Sequence, residues 1–520
     1  RQAAYRDKLV AILRSFAAYD AKRPYDRLTF DNPHAGAYRT MTLVNFFMKL
    51  KRGGALPADL EKSLRASLQR LGTFLAEPRN FEGTHNHGFN EGAALLLLAH
   101  NFPEMPQAAA WRQLAVQRLQ AMLRATVDGD GVEVENSPFY HVYVLGLVAQ
   151  ITDWAKRYEP GLAPAYTAAK ARMLRYAAYV VQPSGYLPML GATATTYLPS
   201  QDPTVYGPMA DADPEFAFAY TRGARGAAPP AGAWLFPESG LYLLRSPLSS
   251  AAQLANQTFV TFDAGTYRTE HSDLDALSVT MYASGSTVLP ESGLFTYTAQ
   301  PDRAYFHGTP AHNAVTVDGK DQPEGHARAG GKGGTNGVAW ATGTSDLYAG
   351  VAHRRSVVLL AQGMVLVVDR LASAAAHDYT QHWHLPPDAR TSVAGRDVVA
   401  QDAAGKPVLA IRQADPAGLA LATARGATAP MQGWYSAAYG AKTPAWALAY
   451  TRRTSTTTFA TLLVAGPHAG ARATVTRRAV TGGGSTVAVC VAGTPGYAVT
   501  VPAADGAIAV RPGGARCPVA

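Results

Sequence analysis

Apolar residues recur every three to four positions through roughly the first 220 residues, the spacing that gives a helix one buried stripe. Leu9, Ile12, Leu13 and Phe16 share such a stripe, and others run through Leu60 to Leu75, Ala93 to His100, Trp111 to Leu123, Val142 to Ile151 and Ala165 to Val181. Turn clusters separate them, among them Lys51-Arg52-Gly53-Gly54 and Asp128-Gly129-Asp130-Gly131. Serial amphipathic helices of this length pair as antiparallel hairpins, so residues 1–222 are expected to form a helical domain.

After Arg222 the period changes. Residues 223–233 begin with a Pro/Gly/Ala-rich run and read as a linker, and beyond it the pattern is that of strands. Val357 to Leu360 and Met364 to Val368 predict a hairpin turning through Ala361-Gln362-Gly363, and Ala314 to Val317 ends in the turn signal Asp318-Gly319. The expectation is an antiparallel β-sheet domain over 234–390 and a C-terminal β subdomain over 391–520. Gly330-Gly331-Lys332-Gly333-Gly334 lacks the Lys-Ser/Thr and helix of a phosphate loop and is expected to be a flexible surface loop.

The 520 residues exceed what one hydrophobic core supports, and 47% hydrophobic with 16% charged residues describes a globular chain. No run reaches the ~18 apolar residues that span a bilayer, so membrane insertion is not expected. An excess of 47 basic over 38 acidic residues, with a pI near 9.3, favours polyanionic partners. The basic residues form no dense tract and no zinc-finger or aromatic-basic signature accompanies them, which points away from nucleic acid and toward an acidic polysaccharide. Cys490 and Cys517 lack metal-type spacing; they read either as a disulfide tying down the last strand of an exported protein or as two inert thiols. The chain opens at Arg1 without a charged-then-apolar leader, consistent with a removed signal peptide or a trimmed chain.

Polar residues gather at three places. Thr84-His85-Asn86-His87-Gly88-Phe89-Asn90-Glu91 precedes an apolar helix; capping by Asn90 accounts for part of it but not for two histidines and a second asparagine upstream. In Glu135-Asn136-Ser137-Pro138-Phe139-Tyr140-His141, Ser137 and Pro138 read as N-cap and first helical position, which puts Tyr140 in the first turn. The third is Glu270-His271-Ser272-Asp273-Leu274-Asp275, followed by Pro290-Glu291-Ser292-Gly293, Tyr305-Phe306-His307 and His312-Asn313. Buried charge is unfavourable by several kcal/mol unless paired or used, so strands carrying such a cluster bind or ionise something.

In this order these motifs resemble the heparinase II/III-like polysaccharide lyases, a group that includes heparinases and oligoalginate lyases, over roughly residues 80–370. The resemblance implies an (α/α) toroid followed by antiparallel β-sheets, with a substrate cleft between them. It also implies β-elimination on a uronic-acid polysaccharide, leaving a C4=C5 double bond. Removing the C5 proton beside a carboxylate requires that the charge be neutralised, a base supplied and the O4 leaving group protonated. By the resemblance Asn86 binds the carboxylate with His87 and His271, and Tyr140 is the acid at O4. Tyr140 is also the base where the C5 proton and O4 leave from one face; otherwise His87, His271 or Tyr305 is. Asn90, Glu135, His141, Arg268 and Arg303 are the accompanying substrate-binding candidates, and Arg328, Arg354 and Arg355 are further cations or salt-bridge partners.

No cofactor is required for this chemistry. Relatives hold a structural zinc at positions that here read Asp273, Glu291 and His312, and two oxygens with one nitrogen also suit calcium or manganese. Two rivals stand beside the lyase. One is a glycoside hydrolase drawing its carboxylate pair from Glu91, Asp128, Asp130, Glu133 and Glu135; the other is a non-catalytic exopolysaccharide-binding protein. Acidic polysaccharides place the protein in a periplasm or outside the cell, and the particular uronate and the oligomeric state are left open.

Overall fold

The computed structural model describes residues 2–23, 32–83, 86–269 and 271–518. Thr84, His85 and Glu270 of the polar clusters lie outside the described residues. Long helices run over Gln2–Asp20, Pro33–Arg52, Ala58–Ala76, His87–Asn101, Ala108–Thr126, Pro138–Tyr158 and Ala163–Val180, with shorter ones over Pro203–Ala212 and Pro214–Tyr220. Their starts carry the expected chemistry: Asn32 accepts from the Ala35 amide at 2.7 Å, and Asp213 from the Phe216 amide at 2.8 Å. The Leu60–Leu75 stripe is buried throughout, Leu60, Leu64, Leu68, Leu71 and Leu75 all facing inward. The Arg118 guanidinium closes the end of that helix by donating to the Leu75 and Ala76 carbonyls.

Compactness divides the chain into Arg1–Asp128 with Val144–Ala171, and Gly129–Tyr143 with Arg172–Ala520. The second unit therefore includes helical residues before the first strand at Gly232–Phe236. Within it three antiparallel sheets stack. The first orders Gly232–Phe236, Leu241–Arg245, Phe259–Asp263, Val279–Ala283 and Ser286–Leu289 side by side. The central ten-stranded sheet is built on Met364–His384 and Trp446–Ala465, paired from Met364 opposite Val464 to His384 opposite Ala447. The third has four strands within 473–516.

Strand alternation explains the layering. Val357, Leu359, Val365 and Val367 face Tyr242, Val260 and Phe262 of the first sheet, whereas Val358, Leu360, Leu366 and Val368 face Val475, Val487 and Val499 of the third. Because most strands of 390–465, among them Arg390–Ala394, Asp397–Gln401, Pro407–Gln413 and Trp446–Ala465, belong to the central sheet, the four-stranded final sheet begins at Ala473, later than the boundary expected at residue 391. Cys490 and Cys517 form a disulfide in that last sheet. The glycine run is not a loop: Arg328–Gly333 is a strand pairing with Ala339–Ser345, and the Trp340 ring occupies the space that side chains at Gly331 and Gly333 would need.

A fully buried charge pair lies in the central sheet. Arg355 binds both oxygens of Asp369 at 2.7 and 3.0 Å, and His353 adds a third contact at 2.7 Å. Burial alone would raise the Asp369 carboxyl, but Arg355 and His353 outweigh it and hold it well below the usual range. Arg355 also donates to the Leu277 and Asn313 carbonyls, so it is a strut and not a substrate cation. Arg354 pairs with Asp505 at 2.5 Å and Arg328 with Asp346 at 3.0 Å.

Arg355→Ala, which strands a buried carboxylate, is expected to destabilise the protein by about 3–5 kcal/mol in denaturant unfolding. A loss under 1 kcal/mol would show that the pair does not hold the sheet. Burial lowers His141 and His382 to about 4. Their folded values lie below the unfolded value of about 6.5, so their contribution is complete above that pH and is lost as pH falls toward 4. Thermal midpoints measured across that interval should fall steadily toward the acid side.

Candidate active site

Residues 132–141 enter the Pro138–Tyr158 helix through a turn with Asn136 in the left-handed region (φ 56°), its side chain donating to the Thr266 carbonyl at 2.7 Å. Ser137 caps the helix, its hydroxyl 3.4 Å from the Tyr140 amide and 2.7 Å from the Thr193 hydroxyl. Tyr140 therefore sits in the first turn. Its ring stacks on His271, with centroids 4.2 Å apart and planes within 9°. Its hydroxyl lies 3.1 Å from that of Tyr297.

His271 is fixed from both sides. Nδ1 lies 2.6 Å from Glu135 Oε2, and its carbonyl accepts the Ala192 amide at 2.8 Å. That approach requires Gly191 (φ 53°), because a Cβ there would stand 2.5 Å from the His271 carbonyl oxygen and 2.8 Å from that of Asn136. Tyr297 is 39% exposed, 5.4 Å from the His271 ring, with the Arg303 guanidinium 5.7 Å from its own centroid. Burial, then the bond to Tyr140, pushes its phenol well above the ordinary value, so Tyr297 stays protonated and can donate to the Tyr140 oxygen. Tyr140, His271, Tyr297 and Arg303 make a group that can pass a proton beside a cation.

Three expected substrate contacts, Glu135, His141 and Arg268, and one candidate base, Tyr305, are engaged by protein groups. Glu135 is only 1% exposed, with its carboxylate on His271. His141 is buried, Nε2 donating to the Met173 carbonyl at 2.9 Å and Nδ1 accepting the Glu133 amide at 3.3 Å. Tyr305, a candidate base, packs with Phe306 and Ala311, and its hydroxyl accepts the Gly433 and Trp434 amides at 3.1 and 3.2 Å. Arg268 places its guanidinium on the Glu238 carbonyl.

In the helical unit, Asn86 precedes the helix that starts at His87, and Asn90 is buried inside that helix, not at its cap. His87 stacks on His34 at 3.8 Å and bonds Glu82 at 2.5 Å, while Asn90 Nδ2 lies 3.2 Å from His34 Nε2. His34 and Tyr297 were invisible as site residues. His34 follows a helix-opening proline like any first-turn residue, and Tyr297 lies in the irregular segment 290–300, where no periodicity marks which side chains converge.

Among the described residues, Asp275, Glu291 and His312 bring donor atoms within 4.8 Å of one another. Asp275 therefore takes the place expected of Asp273, whose carboxyl lies alongside and is raised to about 7 by burial, opposed by His312 and reinforced by Asp275. His312 Nδ1 bonds Glu291 at 2.5 Å, whereas His312 Nε2 and Glu291 Oε1 are buried without a hydrogen-bond partner. Such orphaned buried donors fit a cation of the kind that accepts mixed nitrogen and oxygen ligands.

The chain thus joins a helical N-terminal part to stacked antiparallel sheets, with a tyrosine–histidine pair at one helix start. Residues 5–198 match the heparinase II/III N-terminus and residues 228–497 the heparinase II/III-like C-terminal domain; the chain belongs to the heparinase II/III family. A heparin-sulfate lyase of Pedobacter heparinus is 24% identical over 312 residues, covering 58% of this chain and 46% of that protein. One of Bacteroides stercoris is 22% identical over 320 residues, with the same coverage of 58% and 46%. The chain thus spans about half the length of the curated relatives it matches. The crystal structure of heparinase III superposes with a TM-score of 0.81 at 16% identity, covering 94% of this chain and 79% of that one. The heparan sulfate lyase structure from Pedobacter heparinus gives 0.76 at 20% identity, covering 96% and 79%. The expected fold class, an (α/α) toroid followed by antiparallel β-sheets, is the one found.

Gly191→Ala forces a Cβ into the left-handed region and against two carbonyls, and should cost about 2 kcal/mol or more. Denaturant unfolding reads this directly, and unchanged stability would mean that the 191–192 segment does not fix His271.

Proposed function

We propose that the protein is a polysaccharide lyase that cleaves a uronic-acid-containing acidic polysaccharide by β-elimination. The observation that carries this is Tyr140 stacked on His271 with its hydroxyl on Tyr297. In the reaction the C5–H electron pair becomes the C4=C5 bond, the C4–O4 bond breaks, and O4 leaves with a proton. A deprotonated Tyr140 takes the C5 proton and returns it to O4 when both leave from one face, and the donor hydroxyl of Tyr297 stabilises the phenolate meanwhile. Where they leave from opposite faces, His271 Nε2 is the acceptor and Tyr140 the acid. The names of the heparin-sulfate lyase relatives and the net charge of +9 support an acidic polysaccharide as the partner. The hydrolase reading loses support because Glu133 and Glu135 are buried and hydrogen-bonded within the fold. The disulfide supports a periplasmic or secreted setting.

Ultraviolet absorbance of the unsaturated uronate, followed over a panel of glycosaminoglycans, alginates and bacterial exopolysaccharides, should rise on at least one polymer. Tyr140→Phe should lower kcat by about 10²-fold or more and Tyr297→Phe by about 10-fold, each with unchanged thermal stability. Near-normal turnover by Tyr140→Phe would contradict the assignment.

We further propose that Asp275, Glu291 and His312 hold a structural divalent cation. It would neutralise the two carboxylates and satisfy the orphaned buried atoms. Elemental analysis of the purified protein should find a stoichiometric metal, and chelation should lower the thermal midpoint. Absence of both would assign the three residues to a hydrogen-bonded network.

A further inference from the structure

Behind the reactive tyrosine lies a sequence of buried hydrogen bonds that the elimination does not use directly. The Met173 carbonyl accepts from His141 Nε2 at 2.9 Å, and His141 Nδ1 accepts the Glu133 amide at 3.3 Å. The Glu133 carboxylate accepts the Glu135 amide at 3.0 Å, and the Glu135 carboxylate meets His271 Nδ1 at 2.6 Å. His141, Glu133 and Glu135 are each 1% exposed or less. His141 is kept neutral by burial, which fixes its tautomer: the Nε2 proton points at Met173 and Nδ1 is left as acceptor.

We infer that Glu135 is a positioning residue for His271, braced by Glu133 and His141, and holds the imidazole with its proton on Nδ1 and bare Nε2 turned to the substrate. A carboxylate oxygen 2.6 Å from Nδ1 can only accept, so the proton between Oε2 and Nδ1 is the one the ring donates. The ring cannot swing away. Tyr140 lies parallel to it at 4.2 Å on one face, and the Ala192 amide holds its backbone. Because Glu135 and Tyr140 flank the Ser137-Pro138 helix start, one local turn sets both the phenol and the carboxylate that orients its histidine neighbour.

The chemical consequence is that Nε2 keeps its lone pair. It can accept a proton from the uronate, and any imidazolium formed is stabilised by the carboxylate at Nδ1, in the manner of other carboxylate–histidine pairs. What Nε2 does to substrate rests on the lyase reading; the tautomer and the bracing do not. The inference also replaces the expectation that Glu135 and His141 touch substrate.

Two measurements test it. Nitrogen-15 NMR of the ligand-free protein, with His271 assigned by its loss in His271→Gln, should show a pyrrole-type Nδ1 and a pyridine-type Nε2. Glu135→Gln, nearly isosteric but uncharged and able to present an N–H to the ring, should convert part or all of that signal to the other tautomer. The same substitution should lower kcat about 10–100-fold while KM stays within about threefold and thermal stability is retained. An Nε2-protonated ring in the unaltered protein would overturn the inference, as would a Glu135→Gln enzyme with raised KM and unchanged kcat, which would make Glu135 a substrate contact. Failure of the unaltered protein to form unsaturated product on any polymer would instead count against the lyase reading, and the NMR result would still decide the tautomer.

Discussion

A carboxylate buried beneath a histidine governs the arrangement of the reactive centre. Glu135 is out of water, so its charge is tolerable only with a close donor, and His271 Nδ1 at 2.6 Å supplies it. Meeting that demand brings residue 271 against residue 135, and Tyr140, five residues further on, then falls against the imidazole face. Tyr297 and Arg303 complete the group from an irregular segment and a short helix, Pro301–His307. The same rule recurs in the sheets: His312 meets Glu291, and Arg355 with His353 meets Asp369. In each case a buried acid is paired with a nitrogen group from a different strand or segment, which ties those segments together.

Much of the fold was legible because burial imposes period. The Leu60–Leu75 stripe, the Ser137-Pro138 helix start and the hairpin at Ala361-Gln362-Gly363 all appear where spacing and turn chemistry put them. The glycine run at 330–334 misled because a strand normally shows side chains, and here Trp340 and Thr342 of the neighbouring strand fill space that side chains at Gly330, Gly331 and Gly333 would take. The expected start of a last subdomain failed for a related reason: strands look alike whether they extend one sheet or begin another, and only pairing partners tell them apart.

The site was legible as a set of residue types and less so as a set of roles. Tyr140 and His271 meet, as the motif order implied. Glu135, His141 and Tyr305 read as functional because they are polar residues in marked motifs, yet each is buried with polar atoms engaged by protein groups. A sequence displays that a polar residue is unusual in its context; it does not display whether water, substrate or a buried partner satisfies it. Tyr297 shows the converse, a functional candidate with no motif around it, identified by its hydroxyl lying 3.1 Å from that of Tyr140.

Whether the bond to O4 breaks by elimination or by addition of water is read from the mass of the products formed in ¹⁸O-labelled water. Elimination predicts that each cleavage yields one unsaturated fragment lighter by one water than its saturated counterpart, with no heavy oxygen incorporated at the cleaved linkage. Fragments of full saturated mass carrying one ¹⁸O at the new reducing end would contradict the account and return the protein to the hydrolases.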